Sequence, residues 1–171
     1  MLTSFDTARL RLVPMTLSLV DAELAGPEAL ARALHARLPV DWPPGEHDHD
    51  ALVFFRTSLL AGAPLGWGSH YVLTRDDETV VAAAGFHGPP DAHRVVEIGY
   101  SVVEHARGRG YGTEIVSALV ERAFESGSVE RVVASTRPDN ASSIAVLTRC
   151  GFSRFDAAGE MHWFERVMHP R

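Results

Sequence analysis

The sequence predicts an α+β fold, a mixed and mostly antiparallel sheet flanked by helices, and three observations predict it. Runs rich in β-branched and aromatic residues occupy 67–73, 79–86 and 95–103, separated only by polar or glycine- and proline-containing turns. The last of these passes through a glycine-rich turn into 114–124, where apolar residues at 115, 116, 119, 120, 123 and 124 share one helical face. A further apolar run at 132–136 follows that helix, the order that brings a strand back parallel to its predecessor.

The remaining elements follow in chain order. Residues 9–13 alternate polar and apolar before Pro14, a short first strand with one buried face. Asp21 to Leu24 close a first turn or short helix, and Pro27 opens a second whose stripe Leu30, Leu34 and Leu38 runs to Pro39. Pro43 and Pro44 exclude regular structure around Trp42. Asp50 is the expected cap of a helix carrying Leu52, Val53, Phe55, Leu59 and Leu60 and ending at Gly62. Arg75-Asp76-Asp77-Glu78 turns a hairpin between the strands at 67–73 and 79–86. Near the end, Asp139 or Asn140 caps a helix that stops at Gly151, and strands at 153–157 and 161–168 finish the chain.

A chain of 171 residues suits one domain with a substantial core. The formal charge of −6 argues against a broad nucleic-acid footprint and suits a cationic or amine substrate. Cys150 is the only cysteine, which excludes an intrachain disulfide framework. The first residues show no charged segment followed by an apolar run, and no stretch reaches membrane-spanning length, so a cytoplasmic protein is expected. Glu46-His47-Asp48-His49-Asp50 carries metal-ligand side-chain types, but without a recognised spacing or distant partners it reads as a solvated helix start.

Arg107-Gly108-Arg109-Gly110-Tyr111-Gly112-Thr113 bears the chemistry. Glycines admit an anion close to the backbone, and the first helical turn offers unpaired N–H groups at the positive end of its dipole. Neither the dinucleotide pattern nor the P-loop pattern is present, and the chain contains no lysine. Arg107-x-x-Gly110-x-Gly112 resembles the acetyl-CoA pyrophosphate loop of the GNAT N-acetyltransferase superfamily. The segment from Asn140 to Gly151-Phe152, with Ser143 and Val146 at the intervening positions, is similar to a second segment of that family. Thr7-Ala8-Arg9-Leu10-Arg11-Leu12-Val13-Pro14 resembles the opening of its Rim-type branch, which includes ribosomal-protein N-terminal acetyltransferases, with Val13 replacing the usual second arginine.

The resemblance implies one acetyltransferase domain over 1–171, with about 6–7 strands and acetyl-CoA lying where the two central parallel strands splay apart. It implies acetyl-CoA as cosubstrate, no metal, and direct attack by a primary amine in a ternary complex. The acceptor is then a protein N-terminal amine or a small amine, polyamine or antibiotic; a non-catalytic acyl-CoA-binding module is the competing class. No nucleic-acid or membrane partner is expected, and the protein is a monomer or homodimer. Arg107, Gly108, Arg109, Gly110, Tyr111, Gly112 and Thr113 would hold the pyrophosphate, and Asn140 and Ser143 the pantetheine arm. Backbone N–H groups of Ser101, Val102 and Val103 would face the acyl oxygen. By the same resemblance Glu97 is the expected base, with His87 the second candidate; Ser143 occupies the position where the Rim-type branch carries serine and would contact the sulfur or the pantetheine chain, while Leu147 stands where related enzymes often carry tyrosine. Trp42 either shapes the acceptor wall or covers the core.

Overall fold

The computed structural model describes residues 4–45, 47–156 and 159–168. Its eight strands are β1 (Phe5–Asp6), β2 (Leu10–Pro14), β3 (Ser69–Thr74), β4 (Val80–Phe86), β5 (Val95–Val102), β6 (Arg131–Thr136), β7 (Ser153–Asp156) and β8 (His162–Val167). They form one sheet in the order β1-β2-β3-β4-β5-β6-β8-β7, and β5 with β6 is its parallel pair. That is the mixed, mostly antiparallel sheet with a central parallel pair expected from the sequence, with one strand more than anticipated. The addition is β1, whose two residues are too short to show alternation.

Helices α1 (Leu17–Ala25), α2 (Pro27–Leu34) and α3 (His49–Leu60) precede β3, while α4 (Tyr111–Glu125) and α5 (Ala141–Arg149) flank β6. Strand alternation sorts the core between two faces. Val72, Ala82, Ala84, Val96 and Ile98 pack with Ile115, Val116, Leu119 and Leu147 of α4 and α5. Tyr71, Leu73, Val80 and Ala83 point the other way, onto Val20, Leu30 and Leu52 of α1 to α3.

Several boundaries differ from expectation for local reasons. The stripe ending at Leu38 suggested one helix to Pro39, but α2 stops at His35, which adopts a left-handed φ of 51°. Leu38 still packs beside the α1–α3 core after the break. Asp48, not Asp50, caps α3, accepting from the Ala51 N–H at 2.9 Å. The run expected as a strand from 67 begins as a 3-10 turn (Leu65–Trp67), and β3 starts at Ser69. Asn140 caps α5 by accepting from the Ser143 N–H at 3.1 Å, and Gly151 follows with φ 80°. Ala157, the end of one expected strand, lies outside the described residues, as does Glu46.

Candidate functional site

Strands β5 and β6 pair only at Val95↔Arg131, Val96↔Val132 and Glu97↔Val133. Beyond that point β5 keeps its pairing with β4 to Val102, and β6 keeps its pairing with β8 to Thr136. Each strand stays with its outer neighbour while the two part from each other, so the sheet opens at its centre.

One side of the opening leads to a cavity of about 480 Å³ lined by Tyr100, Ser101 and Val102 of β5, the glycine turn, the start of α4 and the exposed side of α5. Gly108 and Gly110 hold φ of 73° and 82°, backbone that favours glycine, and Gly110 is the N-cap of α4. With no side-chain cap there, the N–H groups of the first turn face the cavity without an intrahelical partner. Arg107 lines the cavity and donates its Nε–H to the Val102 carbonyl at 3.1 Å. Glycine at 112 leaves room between Val146 and Tyr100, since a Cβ there would meet Val146 at 3.4 Å. Oriented donors, the helix dipole and a guanidinium suit a pyrophosphate, so the residues fit the nucleotide end of coenzyme A.

The turn is braced from outside. Glu114 accepts from the Thr7 hydroxyl at 2.5 Å, the Arg9 N–H at 2.8 Å and Arg9 Nε at 2.7 Å. Arg9 also donates through Nη1 to the Arg109 carbonyl at 2.9 Å. Burial opposes ionisation of Glu114, but the bonds from Thr7 and Arg9 prevail and hold its carboxyl below the usual range. The N-terminal motif thus secures the glycine turn to α4.

Asn140, Ser142, Ser143, Ala145, Val146 and Arg149 form the α5 wall. The Tyr100 and Ser143 hydroxyls lie 2.8 Å apart and bridge the central strand to this helix. Burial pushes the Tyr100 hydroxyl up to about 12 although the Ser143 bond pulls it down, so the phenol stays protonated as a donor. Sequence reading missed Tyr100 and Arg149. Strand parity was the available signal for Tyr100, because it shares a face with Val96 and Ile98.

Glu97, Gly99 and Ser101 have the opposite parity and face the α1–α3 side. Glu97 Oε1 lies 3.3 Å from His87 Nδ1 and 3.5 Å from the Ser135 hydroxyl. The His87 ring covers Gly99, where an added Cβ would sit 2.6 Å from Nε2. Glu97 and His87, named separately from the sequence, are therefore partners.

Three expectations are corrected here. The Val103 N–H donates to the Val81 carbonyl at 2.9 Å, so Val103 has no donor left for an acyl oxygen. His87 N–H likewise donates to the Glu97 carbonyl at 3.0 Å, so the hydrogen-bonded β4–β5 pairs are odd-numbered on β5 and include Ser101. The N–H groups aimed at the opening are those of Tyr100 and Val102. Arg109 does not line the cavity; it contributes its backbone carbonyl to the Arg9 brace.

Trp42 packs against both cores and donates its indole N–H to Glu23 Oε1 at 2.6 Å. Tyr71 donates to Glu23 Oε2 at 2.6 Å, and His47 Nε2 lies 3.0 Å from the same oxygen. His47 is 5% exposed, which corrects its reading as part of a solvated helix start. Its burial against Glu23 was invisible because the partner lies 24 residues earlier. Trp42 thus anchors the segment before α3, whose Gly45 approaches the Ser101 hydroxyl, and does not line the cavity between β5, α4 and α5. Among the described residues no group of three or more His, Cys, Asp or Glu side chains is arranged to hold a metal ion.

Comparison with known proteins gives consistent matches. The description of an acetyltransferase (GNAT) domain matches residues 9–153. The uncharacterized N-acetyltransferase YjdG of Bacillus subtilis (strain 168) is 28% identical over 160 residues, covering 92% of this chain and 95% of that protein. The ribosomal-protein-serine acetyltransferase of Escherichia coli (strain K12) is 29% identical over 87 residues, 51% of this chain and 48% of that protein. Among solved structures, RimL, a ribosomal L7/L12 α-N-protein acetyltransferase in complex with coenzyme A, superimposes with a TM-score of 0.64 at 19% identity, covering 95% of this chain and 96% of that one.

Proposed function

Because the chain belongs to the acetyltransferase (GNAT) family, we propose that it transfers an acetyl group from acetyl-CoA to a primary amine by direct attack within a ternary complex. The observation that carries this reading is the two-sided opening. A phosphate cradle lies on the α4–α5 side of the sheet, a carboxylate–imidazole pair lies on the other, and the strands between them part.

When bound, acetyl-CoA supplies the acyl thioester. Arg107 and the backbone at Gly108, Gly110, Tyr111, Gly112 and Thr113 hold its phosphates, with Arg149 as a further cation. Asn140 spends its carbonyl on capping α5 and keeps its amide NH₂ for the pantetheine arm. An amine is largely protonated near neutral pH, so Glu97 takes a proton from the ammonium before attack. His87 orients the carboxylate and carries the proton onward. The N–H groups of Tyr100 and Val102 stabilise charge developing on the acyl oxygen. The Tyr100–Ser143 hydroxyl pair supplies the donor for the leaving sulfur, in place of a tyrosine at position 147.

A second reading, with a protein N-terminal α-amine as acceptor, is favoured by the ribosomal-protein-serine relative. Initial-rate measurements of coenzyme A release at varied acetyl-CoA and amine test the main proposal. Intersecting double-reciprocal lines are expected; parallel lines would replace direct attack with an acyl-enzyme. Tight acetyl-CoA binding without release to any amine would make the protein a non-catalytic acyl-CoA module.

A further inference from the structure

A second cavity lies beside the carboxylate–imidazole pair, and what it implies for the acceptor rests on the acetyltransferase reading above. The cavity, of about 470 Å³, lies between α3, the 3-10 turn at Leu65–Trp67 and the facing ends of β3 and β4. Phe54, Phe55, Leu59, Leu65, Trp67 and Phe86 dominate its lining. The Trp67 and Phe86 rings meet edge to face at 5.0 Å, while Phe54, 67% exposed, stands at the rim. His87 lines one end of the cavity and carries on its ring the contact to Glu97. An apolar chamber therefore adjoins the group that would deprotonate the amine.

We propose that this chamber receives the body of the acceptor, and that the preferred acceptor is a small primary amine bearing an aromatic or branched apolar group, an arylalkylamine. Charge supports the choice. Among the described residues no Asp or Glu lines the cavity, so a polyamine or aminoglycoside placing further ammonium groups there would leave them buried and unpaired. One ammonium, beside Glu97, is what the arrangement accommodates. Hydrogen bonding separates a small amine from a peptide. Three lining carbonyls already accept a backbone bond: Gly68 from Phe86 at 3.2 Å, Trp67 from Gly88 at 3.2 Å, and Ser69 from Met15 at 2.9 Å. Ser58, Ser69 and His87 are the polar side chains along the wall. The amides that follow a peptide's first residue would enter with few partners, whereas an alkyl-linked ring needs none. The volume also falls in the range of a site for one small ligand.

Coenzyme A release from the purified protein, with acetyl-CoA and a panel of 2-phenylethylamine, tryptamine, spermidine and short peptides beginning with Ala, Ser or Phe, provides the test. An arylalkylamine is expected to exceed spermidine and every peptide in kcat/KM by about tenfold or more. Phe54→Ala, at an exposed rim position that folding does not depend on, and Trp67→Ala should each raise KM for that amine about fivefold or more, the loss of one apolar contact surface. KM for acetyl-CoA should stay unchanged in both. Spermidine or a peptide matching the arylalkylamines would overturn the inference while leaving acetyl transfer intact, as would an unchanged amine KM in Phe54→Ala. Silence across the whole panel, with acetyl-CoA bound, would remove the acetyltransferase reading itself and this inference with it.

Discussion

Glu97 sits between a histidine and a serine on the face of the sheet that the amine must approach, and a single-atom change isolates its role. Glu97→Gln keeps the shape and abolishes the base. Its kcat is expected to fall by about a hundredfold. An unchanged kcat in a CoA-release assay would reassign the base. His87→Gln should have a smaller effect on kcat, because the carboxylate remains. Glu97 was singled out in the sequence only through resemblance, standing at a central-strand position where related acetyltransferases often carry a catalytic glutamate. Tyr100 was not, since an aromatic at strand spacing looks like core until its hydroxyl is seen 2.8 Å from Ser143, 43 residues later. His47 escaped for the same reason, its partner Glu23 lying 24 residues earlier on α1.

At the level of elements, the turn into α4 depends on backbone shape more than on side chains. Gly110 has φ 82°, and a side chain there would begin 3.3 Å from Arg9 Nη2. Gly110→Glu adds left-handed strain of about 1–2 kcal/mol and a carboxylate where phosphate must sit. Acetyl-CoA binding by calorimetry should become undetectable while circular dichroism stays native; unchanged affinity would displace the phosphate from this turn. Glu114→Gln removes the charge from the Thr7–Arg9 brace, and a stability loss of about 1–2 kcal/mol is expected in urea titration, together with weaker acetyl-CoA binding. The turn, α4 and α5 were readable because glycines and apolar stripes mark them, although α4 starts at Tyr111, inside the expected turn, and not at Glu114. The segment between β2 and β3 was less so. Leucines four apart continue past His35, but one left-handed residue ends α2 and sends the chain elsewhere. Two acidic residues of the next segment could equally cap a helix, and only packing selects Asp48.

Across the whole molecule, acid stability is governed in part by His70, buried on β3 with no partner for Nδ1 among the described residues. Burial, reinforced by the Arg122 charge, lowers its imidazole from 6.5 to about 4. The unfolded chain therefore binds this proton first as pH falls. The associated stability is complete above pH 6.5 and is lost progressively toward pH 4, amounting to about 3 kcal/mol at about 1.4 kcal/mol per unit. Melting temperature should drop across that window, and His70→Leu should flatten the decline; an equally steep decline in the variant would place the sensitivity elsewhere. The parallel pairing of β5 with β6 has a mechanical meaning as well. Two half-sheets, β1 to β5 and β6 to β8, are stitched together by three residue pairs at one end of a common seam. Such a seam is a natural hinge, and a ligand lodged in its open end acts as a wedge that stops the halves from breathing. Amide deuterium uptake in β6 and in the second half of β5 should therefore slow when acetyl-CoA is added, beyond the slowing seen in β3, so the donor substrate tightens the scaffold that receives it.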